Sequence, residues 1–147
     1  MNKSLRWLSV MVWLALLALP ACKEDEPTEE EIFLSKIGTS WQLSAEGVVL
    51  DDVPVNNVFN GFTISLTTQS SFTTNNGNAP IWPATGTFTL KKVSTTTGFN
   101  LVRSDGVEVF VDQLTEQRLV LRFRYVGQGG RTGSVSGEYV FDLEVKP

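Results

Sequence analysis

From Gly38 onward, hydrophobic residues recur at every second position. Leu119, Leu121, Phe123 and Tyr125 share one parity, against Arg118, Val120, Arg122 and Arg124. Tyr139, Phe141, Leu143 and Val145 alternate with Glu138, Val140, Asp142 and Glu144. Phe62, Ile64 and Leu66 alternate with Thr63, Ser65 and Thr67, and Phe88 and Leu90 with Thr87 and Thr89. A period of two is the mark of a strand with one buried face. Turn signals divide the series into eight predicted strands: 40–49, 59–68, 71–75, 85–93, 99–104, 107–113, 118–126 and 134–145. Asn76-Gly77 and Asp105-Gly106 are tight-turn dipeptides that tolerate positive φ. Residues 128–133 make a looser, glycine-rich tip. No helix of useful length interrupts the series, so parallel crossovers are not expected. A hairpin centred near Gly130 joins the last two apolar faces and sets Arg122 beside Glu138 and Arg118 beside Asp142. Such exposed pairs contribute about 0.2–1 kcal/mol each and fix register more than they stabilise. The expected fold is all-β, an eight-stranded antiparallel up-and-down barrel. A two-sheet β-sandwich is the alternative that alternation alone leaves open.

Ahead of the strands, residues 28–37 read as one short helix. Thr28 and Glu31 have capping-box spacing, Ile32, Phe33 and Ile37 offer apolar contacts, and Gly38 ends it. The chain opens differently. Lys3 and Arg6 make a basic start, and residues 7–19 are apolar except for Ser9. A membrane-spanning helix needs about 20 residues, so this thirteen-residue run is an export signal rather than a span. It ends at Leu19-Pro20-Ala21-Cys22, and Cys22 is the only cysteine. This resembles a bacterial lipoprotein signal, with Leu19 and Ala21 at the recognised positions. The resemblance implies that the Cys22 thiol accepts diacylglycerol and becomes the first mature residue. An ordinary cleaved signal with an incidental thiol is the alternative. Two or three acyl chains would anchor the protein stably, because one chain binds only marginally. Lys23, Glu24 and Asp25, followed by Glu26, resemble the export signal of surface lipoproteins in Bacteroidota. That implies an outer membrane lipoprotein displayed at the cell surface, with a periplasm-facing orientation, or a plain acidic spacer, as alternatives. The expected organisation is a signal peptide over 1–21, an acidic tether over 22–31 and a barrel domain over 32–147.

Charge narrows the partners. The precursor has a net charge of −4, and removing Lys3 and Arg6 takes it to −6. Residues 23–31 hold one base and six acids, so the tether carries most of the charge. The remaining domain is near neutral and lacks the clustered basic face that nucleic acid requires. There is no histidine. That removes Ser-His-acid triads, Cys-His dyads and most zinc sites. No phosphate loop or calcium-loop spacing occurs. Asp51-Asp52 is the only adjacent acidic pair in the domain, in a loop suggested by Val53-Pro54. Asp105, the other acid to weigh besides Glu108, is accounted for by its turn. A glycosidase would need two carboxylates about 5–10 Å apart across a cleft. The reading is a non-enzyme with no cofactor and no metal.

Gly38-Thr39-Ser40-Trp41 resembles the Gly-x-Trp signature of lipocalins. Trp41-Gln42-Leu43, Gly86-Thr87-Phe88, Ser104-Asp105-Gly106 and 137–141 are similar to the lipocalin-like lipoprotein domains of Bacteroidota. The resemblance covers about residues 32–145. It implies a barrel, a tryptophan, Trp41, across its closed end, and a small ligand. Trp82, in Ala79-Pro80-Ile81-Trp82-Pro83, is the other aromatic candidate. The flanking prolines stiffen its segment and keep it out of a central ladder. It is expected either exposed, to stack on a sugar or line a barrel mouth, or folded over the barrel end as a plug. Phe59 and Tyr125 read as core, and Phe110 as core or an exposed apolar spot. Two functions follow. One is a carrier of a small apolar or amphipathic ligand, with Trp82, Ile81 and Trp41 at the site. The other is a solid-core surface module that binds a glycan or an envelope protein through loops near Trp82 or the 128–133 tip.

Overall fold

The structure, a computed structural model, describes residues 26–94, 98–127 and 136–147. Helix α1 spans Glu29–Ile37. The strands are β1 (Ser40–Leu50), β2 (Val53–Pro54), β3 (Thr63–Leu66), β4 (Ser71–Asn75), β5 (Thr85–Lys92), β6 (Phe99–Arg103), β7 (Glu108–Leu114), β8 (Arg118–Tyr125) and β9 (Gly137–Val145). Each barrel strand pairs antiparallel with the next, and β9 returns to β1. Strand β2 is a two-residue hairpin on the end of β1, outside the expected set. Eight strands, β1 and β3–β9, therefore close an up-and-down barrel, and the sandwich alternative is set aside.

The alternation sorts inside from outside. Leu119, Leu121, Phe123, Tyr139, Phe141 and Leu143 are buried, and Arg118, Arg124, Glu138 and Glu144 between them are exposed, while Asp142 is covered by its bonds to Arg118 and Ser44. The last hairpin pairs Arg118 with Glu144, Arg122 with Val140 and Arg124 with Glu138. Its partners lie two residues beyond the expected ones, a shift that preserves parity and hence the buried face. Arg118 reaches Asp142 diagonally, with Nε 3.1 Å from Oδ1. Arg122 binds Asp112 at 2.8 Å and only approaches Glu138, at 3.7 Å. The 128–133 tip lies outside the described residues.

Helix α1 closes one end of the barrel. Thr28 caps it reciprocally with Glu31, as the capping-box spacing predicts. Its inner side buries Phe33 and Ile37, and Phe33 packs on Phe99 at 5.2 Å between centroids. Trp41 donates its indole N–H to Ile37 O at 3.0 Å, which ties β1 to the helix. The opposite end is shut from within. Residues 59–62, expected to be strand, instead complete a turn that turns Phe59 inward, and β3 begins only at Thr63. The expected turn at Asn76-Gly77 is not a tight hairpin. Asn76, at φ 55°, instead begins an excursion between β4 and β5. A Cβ on Gly77 would meet Trp82 O at 2.5 Å, so only glycine lets this segment fold back so closely.

Candidate functional site

The lumen is the first place to seek a ligand, and it is full. Trp82 enters from the 76–84 excursion and is 2% exposed. Its ring lies 5.3 Å from Phe123, 5.6 Å from Phe72, 6.0 Å from Phe141 and 6.3 Å from Phe62. Phe59 packs on Phe141 at 5.0 Å and on Tyr139 at 6.0 Å. The exposed Trp82 of the surface-loop expectation is thus corrected. The prolines confine a short segment whose bulkiest apolar side chain lies against an aromatic interior, and burial wins. Of the two arrangements expected for Trp82, the plug is the one found. Ile81 is buried beside it, and Trp41 is buried at the α1 end, so the three candidate ligand contacts do not form one accessible site.

A residue that sequence reasoning missed holds the plug. Arg103 is 3% exposed, and its guanidinium carbon sits 4.7 Å from the Trp82 ring centroid and 5.6 Å from that of Phe123. It donates to Ile81 O at 2.7 Å and, through Nε, to Asp105 Oδ1 at 3.1 Å. A second Arg103–Asp105 contact, Nη2 to Oδ2, makes the pair bidentate. Burial pushes the Asp105 carboxyl up. The hydrogen bond and charge of Arg103, with the Val107 amide, outweigh that and hold it below its ordinary 3.8. The signal was legible: Arg103 shares the inward parity of Phe99 and Leu101. The Trp82 indole N–H finds no acceptor among the described residues. Such a buried donor costs about 1–3 kcal/mol, so cation–π attraction and ring burial outweigh a real penalty here.

Among the described residues the acids show no convergence. Asp51 and Asp52 occupy a turn at positive φ, and Asp51 Oδ1 accepts from the Glu138 amide at 2.9 Å. Glu108 binds Lys91 at 2.8 Å and Asn100 at 3.0 Å. Among the described residues no group of His, Cys, Asp and Glu is placed to hold a metal. Cys22, Lys23, Glu24 and Asp25 lie outside the described residues.

A concave surface does exist outside the barrel. Strands β6 and β7 register only at Leu101–Val109 and Val102–Glu108. Toward α1 the pairing ends, and the register of β7 with β8 shifts between Val111 and Gln113. The wedge between them, roofed by α1, is a half-open cleft of about 500 Å³. Ile32, Phe33, Phe99, Val111 and Leu114 supply its apolar lining, with Glu29, Lys36, Asp112 and Gln113 at the polar positions. No family model, no curated protein and no solved structure matches this chain.

Proposed function

We propose that this protein is a lipid-anchored, surface-displayed lipoprotein with a lipocalin-like barrel. It binds a small apolar or amphipathic ligand outside its lumen, in the cleft between α1, β6 and β7. The anchoring reading is supported by the basic start, the short apolar run and the lone Cys22. One observation carries the location of the site. Interlocked rings fill the lumen, while the cleft offers about 500 Å³ beside an apolar lining. Small-molecule sites usually occupy roughly 300–1,000 Å³ with apolar walls and a few polar groups. The protein acts by binding and carries out no reaction. Native mass spectrometry of the mature protein, purified gently from its own host, tests this. Extra mass that leaves on denaturation is expected, and an Ile32→Glu/Leu114→Glu variant should lack it. A mass of polypeptide plus anchor alone would sink the ligand reading.

A second reading, a solid-core module that touches a glycan or an envelope protein, is favoured by the rim opposite α1. There Val53, Val58 and Val126 are 60%, 46% and 70% exposed. Aspartate substitution of these three should abolish partner capture and leave folding unchanged if that rim is the contact surface.

A further inference from the structure

We infer that the cleft takes the acyl chain of a bilayer phospholipid, with the anionic head at Lys36. The inference deepens the proposed function and rests on the anchoring of Cys22. Three independent observations converge on it. The first is reach. Six residues, 23–28, separate Cys22 from the start of α1. Seven Cα steps span at most about 25 Å, so the helix cannot stand far from the membrane that holds the anchor. Glu29, where the tether meets the helix, itself lines the cleft. The α1 end therefore faces the bilayer, and the cleft opens where lipid is close at hand.

The second observation is the wall. In a closed barrel each strand edge is covered by its neighbour. Here the pairing of β6 and β7 ends at Leu101–Val109, and Phe99 and Val111 beyond it both line the cleft. The gap is faced by Phe33, Phe99, Val111 and Leu114, and Ile32 is 42% exposed at its margin. A flexible, unbranched apolar chain suits a narrow wedge of this kind and needs no hydrogen-bond partner.

The third is charge. Of the ionic groups at the cleft, Glu29 is paired with Lys92, and Asp112 with Arg122. Lys36 has no ion-pair partner among the described residues. One uncompensated cation beside an apolar groove matches a lipid phosphate beside its acyl chain.

The test uses the full mature lipoprotein in vesicles of phosphatidylethanolamine and phosphatidylglycerol, the latter with a diazirine in one acyl chain. After irradiation, adducts should map to peptides holding residues 32–36, 98–101 and 111–114. Ile32→Glu and Lys36→Glu alter exposed positions, so they should retain the thermal midpoint and lose those adducts. Adducts only at the opposite rim, or cleft adducts unchanged in both variants, would overturn the inference. The mass of the N-terminal peptide is read in the same samples. A peptide without acyl mass brings down the anchoring reading by itself, whereas the adduct map alone decides the cleft.

Discussion

Trp82 and Arg103 show how two side chains decide whether this barrel is hollow. The tryptophan fills the space between Phe62, Phe72, Phe123 and Phe141, and the arginine binds both its ring and the neighbouring Ile81 carbonyl. Trp82→Ala should cost about 3–5 kcal/mol, since truncating a buried large aromatic loses transfer energy and leaves a void. Urea denaturation measures the loss. Added indole should restore part of it, and full stability without indole would show that the ring does not hold the core. Asp105 makes the same clasp sensitive to acid. Its folded pKa lies below the ordinary 3.8, so its contribution is fully present above that value. It fades as pH falls through the lowered folded value, where the proton neutralises the partner of Arg103. Thermal midpoints from pH 5 to pH 2 should therefore fall less steeply in Asp105→Asn than in the parent. Parallel slopes would refute the linkage. Arg103 was visible in the sequence as an inward-parity arginine, but its partner was not. The contact joins a strand residue to a loop 21 positions earlier, and no local pattern encodes that meeting.

At the scale of elements, α1 was the most readable piece and the 76–84 segment the least. The Thr28–Glu31 spacing and Gly38 mark the helix because capping is local chemistry. Its function as an end cap depends on Phe33 meeting Phe99, 66 residues away. Phe33→Ala should release the helix at a cost of about 3 kcal/mol while the barrel persists. Hydrogen exchange checks this: amides of 29–37 should lose protection, and those of β8 and β9 should keep it. Unfolding of the whole domain in that variant would mean that α1 is part of one cooperative core. Strand bounds also followed the pattern closely, with 71–75 the same in both. The 59–62 stretch departed from it because Phe59 finds burial through a turn, and alternation cannot tell an inward strand residue from an inward loop residue.

For the whole molecule, closure rests on the seam between β1 and β9, whose strands are neighbours in space and farthest apart in sequence. Gly137 sits at that seam, and a Cβ there would run into Leu50 Cδ1 and the Asp51 carboxylate. Gly137→Ala should lower stability by about 1–3 kcal/mol, as overpacking does. A thermal midpoint equal to that of the parent would show that the seam yields freely. The period of two in the sequence by itself marked most of the strands and their buried faces, because side-chain direction along a strand is fixed by the backbone, and the turn signals without a crossover helix between strands set their antiparallel order. The same local chemistry set the short capped helix. Only the tertiary structure decided that the sheet closes as a barrel, that Trp82 plugs the lumen instead of meeting solvent, and that a cleft forms beneath α1 where the pairing of β6 and β7 ends. Those outcomes depend on which residues distant in the chain compete for one volume, and the burial of rings against rings settles that competition.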